Sequence, residues 1–194
     1  MTRAVPAAGP RPLVLVGGGA RSGKSRWALA RAASLGRRRL FVATAEPSDD
    51  EMRARIARHR AERAGSFETV EEPLALPELI GRAAGEATYD VVLVDCLTLW
   101  ISNLLVRGAG AEEVEGRVAA LADALAARAT PVVVVSNEVG MGLVPETPLG
   151  RLFRDVAGGA HQRLAALADE ICVAVMGVVL RIRPGPVEIA AAEG

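Results

Sequence analysis

Lysine is nearly absent from this chain: of its 23 basic residues, 22 are arginine and one, Lys24, is lysine. Histidine is almost as scarce, with His59 and His161 alone. Chemistry that needs an ammonium or an imidazole therefore falls on three named residues. Aromatic side chains make up 3% of the sequence, too few for a protein that binds single strands by stacking bases. Neither sign of charge is in excess, at 23 basic against 23 acidic residues, which argues against affinity built on bulk attraction to a phosphate backbone. The two cysteines, Cys96 and Cys172, form no C-x-x-C pair. Neither a zinc site nor a disulfide framework is suggested, and a reducing compartment is the natural reading. The longest apolar run, residues 171–180, falls far short of the roughly 18 residues a membrane span needs. Residues 1–12 are rich in Pro, Ala and Gly without the apolar stretch of a signal peptide. We expect a soluble cytoplasmic protein with no membrane span and no nucleic-acid partner.

What is present is apolar surface: 51% of 194 residues are hydrophobic, enough to bury one domain-sized core. Short continuous Val/Ile/Leu-rich runs occur at residues 13–16, 40–43, 91–94, 132–135 and 171–175. Between them lie segments of helical period, such as 119–129 and 149–167, where Leu149, Phe153, Val156, Ala160 and Leu164 recur at spacings of three and four. Strands apolar on both faces alternating with helices predict an α/β fold, a mostly parallel sheet with helices on both faces. The domain is expected over residues 13–183, with flexible tails at 1–12 and 184–194.

The first strand runs into Gly18-Gly19-Ala20-Arg21-Ser22-Gly23-Lys24-Ser25 and then a helical segment, which satisfies G-x-x-x-x-G-K-[ST]. Glycines let backbone N–H groups wrap phosphates, the helix N-terminus adds positive potential, Lys24 reaches the β/γ oxygens and Ser25 ligates Mg²⁺. A bare glycine turn would leave unexplained why the sole lysine falls here. Such a loop needs a second carboxylate for the metal at the end of a neighbouring strand. Asp95 stands where the run 91–94 stops, a position that also suits a helix N-cap.

Ser48 with Glu51 three residues on forms a capping-box pattern that opens a predicted helix over 49–64. Between Glu51 and Arg63 it carries five arginines against two glutamates, a local excess of three positive charges. His59 lies in their midst, on the same face as Met52 and Ile56. Two readings stand: a solvated amphipathic helix with a half-buried histidine, or arginines that gather a triphosphate beside an imidazole. Nearby cations favour the neutral, nucleophilic imidazole, which could accept a phosphoryl or nucleotidyl group.

The stretches GGARSGKS at 18–25, VAT at 42–44, DDEMRARIARHR at 49–60, VLVDCLTLWISNLL at 92–105 and SNEVGMGLVPETPLGRLFRDVAG at 136–158 resemble one family closely. It is the bifunctional adenosylcobinamide kinase/adenosylcobinamide-phosphate guanylyltransferase family of cobalamin biosynthesis. The resemblance implies phosphorylation of adenosylcobinamide with ATP or GTP, then transfer of GMP from GTP through a guanylylated histidine. It places that histidine at His59. It implies nucleotide contacts at Gly18, Gly19, Ala20, Arg21, Ser22, Gly23, Lys24 and Ser25, at Ala43, Thr44 and Ala45, at Arg60, Ala61, Glu62 and Arg63, and at Glu71 and Asp95. Mg²⁺ would be held by Ser25 and Asp95. A RecA-like P-loop fold and a homotrimer are also implied.

The sequence departs from the family's pattern at Asp95, where Glu is frequent, at Ala45, where Ser is frequent, and at His161, where Asn is usual. We expect His161 to be a surface or capping residue. Asn137 and Glu138 close the run 132–135, and we expect them to line the corrinoid or nucleotide pocket, unless they only fix their loop by hydrogen bonds to backbone. The competing functions are a P-loop small-molecule kinase without a nucleotidyl-enzyme and a RecA-like nucleic-acid-dependent ATPase.

Overall fold

The computed structural model describes residues 11–47, 50, 53, 60, 65–86 and 88–189. Eight strands form one sheet in the order β3-β2-β4-β5-β1-β6-β7-β8. The strands are β1 (Leu13–Gly18), β2 (Arg39–Ala43), β3 (Glu68–Glu71), β4 (Val91–Asp95), β5 (Val132–Val135), β6 (Glu170–Val175), β7 (Val178–Arg183) and β8 (Glu188–Ile189). Every pairing from β3 across to β6 is parallel, and β7 and β8 close that edge antiparallel. The helices are α1 (Lys24–Leu35), α2 (Leu76–Gly85), α3 (Leu97–Val106), α4 (Ala111–Ala126) and α5 (Pro148–Leu167). None is long and apolar enough to cross a membrane.

The central strands bury both faces because each face meets helices. Leu13, Leu15, Val92, Val94, Val132 and Val134 pack against α2, α3, α4 and α5. The alternate residues Val14, Val16, Leu93, Val133 and Val135 pack with Trp27, Ala28 and Ala32 of α1. Side chains alternate across a strand, so one valine-rich run feeds two cores. The helix ends follow local chemistry as well. Thr147 caps α5, its Oγ1 accepting from the Gly150 amide at 3.1 Å, with Pro148 in the first turn.

The predicted strands all form, and the helix predicted at 149–167 is α5. The segment 119–129 proves to be the second half of a longer helix, α4, which ends at Ala126. Two further differences concern the C-terminal end. The apolar run 171–180 is not one element: it folds back at Met176 and Gly177, both at positive φ, into the β6–β7 hairpin. The segment from 184, expected to trail off as a tail, returns after Pro184-Gly185-Pro186 to add Glu188 and Ile189 to the sheet as β8, opposite Arg181 and Leu180. Unpaired N–H and C=O groups on the outer edge of β7 provide the reason. The helix predicted over 49–64 lies mostly outside the described residues. Asp50, Arg53 and Arg60 are helical, and Arg53 pairs with Asp50 one turn back.

One polar knot ties the start of β2 to the start of β4. Asp90 accepts from the backbone amides of Arg37 and Arg38, at 3.0 and 2.9 Å, and from the Arg38 guanidinium. These donors lower its pKa from 3.8 to about 2. A depressed carboxylate stabilises the fold fully above its unfolded pKa and loses that contribution as pH falls through its folded pKa. Asp90→Asn should therefore melt below wild type at pH 7, with the difference shrinking between pH 3.8 and about 2; melting curves across this range check it.

Candidate functional site

Loops leaving the C-terminal ends of the parallel strands share one edge of the sheet, the side on which open α/β sheets bind ligands. The phosphate loop follows β1 at the centre of the sheet. Its backbone adopts forms that favour glycine at Gly18 (φ 153°) and Gly23 (φ 94°), and Arg21 also lies at positive φ (57°). A Cβ on Gly18 would stand 2.5 Å from the Ala174 carbonyl oxygen of β6 and 2.8 Å from Ser22 Oγ. A side chain at position 18 is thus excluded by neighbouring backbone as well as by conformation.

Two main-chain bonds hold the loop from either side. On the β5 side the Glu138 amide donates to the Gly18 carbonyl at 3.0 Å, and on the β6 side the Gly177 amide donates to the Ser22 carbonyl at 3.2 Å. Lys24 is buried and donates from Nζ to the Gly19 carbonyl at 3.0 Å, which folds its ammonium back over the loop. Ser25 follows in the first turn of α1, half-buried. The Ser22 hydroxyl is buried with no hydrogen-bond partner among the described residues.

Asp95 ends β4, which is separated from β1 by β5, so its backbone sits about 10 Å across the sheet from that of β1. Both Lys24 and Asp95 act on the buried Cys96 thiol. Burial and the Asp95 carboxylate push that thiol up to about 11, with Lys24 pulling weakly the other way. Burial and Glu170 push Cys172 up to about 12. Neither cysteine is a thiolate at neutral pH, and nucleophilic thiol chemistry is excluded at this edge. Among the described residues no three His, Cys, Asp or Glu side chains gather to hold a metal. The donors available for one are the Ser25 hydroxyl and the Asp95 carboxylate. Such a hard-oxygen pair, completed by phosphate oxygens and water, suits Mg²⁺.

Of the three residues expected after β2, Ala43 and Ala45 are half-buried beside the edge. Thr44 differs, because every polar group it has is engaged within the chain. Its hydroxyl donates to the Cys96 carbonyl (2.7 Å) and accepts from the Cys96 amide (2.8 Å). Its amide donates to the Asp95 carbonyl (3.2 Å), and its carbonyl accepts from Asn103 Nδ2 (2.8 Å). Thr44 is a clasp between the ends of β2 and β4 that fixes the backbone carrying Asp95. Further along the edge, Arg60 and Glu71 come together, Nη2 to Oε1 at 3.5 Å. Glu71 ends β3, four strand spacings from β1, or about 19 Å. His59, Ala61, Glu62 and Arg63 lie outside the described residues.

Asn137 and Glu138 stand directly beside the phosphate loop. Asn137 Nδ2 donates to Thr98 Oγ1 at 3.1 Å. The Glu138 carboxylate accepts from the Gly140 amide at 2.6 Å and the Met141 amide at 3.2 Å, so it shapes its own loop. His161 corrects the expectation of a surface or capping residue. It faces inward from α5, and its Nε2 lies 2.6 Å from Ser136 Oγ, the residue that precedes Asn137. Burial holds its pKa below the ordinary histidine value, partly offset by the Glu138 carboxylate. A spacing of four from the buried Ala157 was the sequence signal for this inward face.

A buried lysine folded over a glycine loop between a parallel strand and a helix, with a carboxylate two strands away, defines a P-loop nucleotide-binding protein. The fold is RecA-like: the chain superposes on the RadB recombinase with a TM-score of 0.54, covering 93% of this chain and 86% of that one at 17% identity. A model of the family described as cobinamide kinase / cobinamide phosphate guanyltransferase matches residues 14–182, and the chain belongs to that family. It is 42% identical over 176 residues to the bifunctional adenosylcobalamin biosynthesis protein CobP of Pseudomonas aeruginosa, covering 91% of this chain and 99% of that protein. The corresponding protein CobU of Escherichia coli is 40% identical over 183 residues, with 88% and 99% covered.

The clasp separates two roles for Thr44. Thr44→Val orphans the buried Cys96 amide and should cost about 1–3 kcal/mol of stability in urea unfolding. GTP affinity of the folded variant, measured by calorimetry, tests the nucleotide contact expected at Thr44: a fall supports it, and an unchanged value leaves only the clasp.

Proposed function

We propose that this chain carries out two successive reactions at one nucleotide site. It phosphorylates the free hydroxyl of adenosylcobinamide with ATP or GTP, and then transfers GMP from GTP to the new phosphate, giving adenosylcobinamide-GDP and pyrophosphate. The observation that carries the reading is the phosphate loop itself, held open on both sides with the sole lysine folded over it, in a chain of the cobinamide kinase family.

In the first step the substrate hydroxyl attacks the γ-phosphorus and a nucleoside diphosphate leaves. The loop amides and Lys24 hold the phosphates and neutralise charge that develops on the transferred group. Ser25 and Asp95 would hold Mg²⁺, which would supply positive charge to offset that of the phosphates. In the second step a ring nitrogen of His59 attacks the α-phosphorus of GTP, the bond to the β-phosphate oxygen breaks and pyrophosphate leaves. The substrate phosphate then displaces GMP from the histidine, freeing the imidazole. The nucleotide is proposed to touch residues 18–25, Ala43, Thr44, Ala45 and Asp95 and to reach along the edge toward residues 60–63 and Glu71. The spread of about 19 Å from β1 to β3 supports an extended nucleotide lying across the strand ends. Asn137 and Glu138 are proposed to face the corrinoid side of the same edge.

We also propose a cytoplasmic homotrimer. Val175, Val178 and Ile182 are exposed on one face of the β6–β7 hairpin, which supports self-association. The substrates and the two free cysteines, both buried, fit a reducing cytoplasm.

Incubation with Mg²⁺ and GTP labelled on the α-phosphate should leave acid-labile, alkali-stable label on the denatured chain. His59→Ala should remove it. Unlabelled wild type, or label that persists in the variant, defeats the covalent route. Lys24→Ala should impair both reactions together, since a shared loop holds either nucleotide; full turnover of either one would separate the sites.

A further inference from the structure

Four large apolar side chains stand in solvent around the phosphate loop. Met141, Leu143 and Val144 are 87%, 96% and 64% exposed on the loop after β5, and Met176 is 95% exposed at the tip of the β6–β7 hairpin. These two segments are the ones bonded to the loop, through the Glu138 amide to Gly18 and the Gly177 amide to Ser22. The apolar groups therefore flank the phosphate loop on both sides.

Met176 is out of place on local grounds. It occupies the first central position of a two-residue hairpin turn at φ 52°, followed by Gly177 at φ 84°. Such turns favour Asn, Asp or Gly, because other side chains are strained at positive φ. A methionine that strains the turn and buries almost none of its surface contributes nothing to the fold that asparagine would not do better. The β5 loop is equally deliberate. Glu138 binds the amides of Gly140 and Met141 at its start, and Arg151 binds the carbonyls of Pro145 and Glu146 at its end, at 3.0 and 2.8 Å. The backbone is fixed while its apolar side chains face water.

We propose that Met141, Leu143, Val144 and Met176 form a two-sided apolar rim that seats the corrin macrocycle of the cobinamide substrate. The inference rests on the function proposed above. The acceptor must bring a hydroxyl to the γ-phosphate, so its bulk has to lie over the mouth of the phosphate loop. A corrin ring is broad and carries many methyl groups on its periphery. It would cover both segments at once, with methionine supplying an adaptable, polarisable contact. The rim binds and orients the macrocycle, leaving the phosphates to the loop amides and Lys24.

The test is equilibrium dialysis of cobinamide with the full-length protein, alongside GTP binding and mass in solution. The variants are Met176→Asn, whose side chain tolerates the turn, Leu143→Ser and the double variant. Val106→Ser, an exposed valine at the last residue of α3, is the control. Each rim variant should weaken cobinamide binding about tenfold, and the double variant more, with GTP binding retained and the control unchanged. Unchanged cobinamide affinity in both single variants overturns the rim, as does a wild type that binds no cobinamide. A loss of oligomer mass in the rim variants also overturns it, because those side chains would then hold a second copy of the chain. Rim-dependent binding without phosphate transfer upholds the rim and defeats the proposed activity instead.

Discussion

A loop that binds phosphate with its own N–H groups has few of them to spare for holding itself together, and the rest of the site is organised around that constraint. Here the support comes from outside and acts largely through the loop's carbonyls. Gly18 receives the amide of Glu138, Ser22 receives the amide of Gly177, and Gly19 receives Lys24. The close approach of Gly18 to the Ala174 carbonyl follows from the same arrangement, because the loop rests against the end of β6 with no room for a side chain. The hairpin beyond β6 thus braces the phosphate loop through its backbone.

The second support lies on the other half of the edge. Parallel strands end in loops whose polar groups have no ladder partners, and Thr44 resolves this for β2 and β4 together by bonding both the amide and the carbonyl of Cys96. Asn103 reaches back from α3 to the Thr44 carbonyl and to Pro73, tying in the chain after β3 as well. Three strand ends are thereby locked to one another, and Asp95 is carried on a rigid backbone. His161 does the equivalent for β5 by holding Ser136 one residue ahead of Asn137. The functional edge is stiff, a prerequisite for a site that stabilises charge by prearranged dipoles.

Much of this was legible in the sequence. The phosphate loop, Asp95 at the end of its strand and five of the six parallel strands were all readable, because each is written in consecutive residues or in a short apolar run. Other elements left weaker traces. The strand β3 is Glu-Thr-Val-Glu, half-exposed near the sheet edge, with no continuous apolar signal. The helix α2 carries a proline and two glycines within ten residues, which weaken its helical signal, and α3 is apolar nearly all round and shows no clean amphipathic stripe. Thr44 is the instructive residue. Its position beside the nucleotide edge was expected from resemblance, and its hydrogen-bond partners are 51, 52 and 59 residues away, where no local pattern points.

The sequence by itself determined the fold class, the family and the residues able to act as lysine and imidazole, because composition and contiguous motifs carry that information along the chain. Scarcity sharpened it, since one lysine and two histidines leave little freedom of assignment. Only the tertiary structure decided which residues hold the site in shape. It made Thr44 a clasp across two strand ends, turned His161 inward onto Ser136, and brought the β6–β7 turn against the phosphate loop. These contacts join residues from 25 to more than 150 positions apart. Their geometry depends on strand order and on the packing of helices against the sheet, which no spacing within one segment encodes.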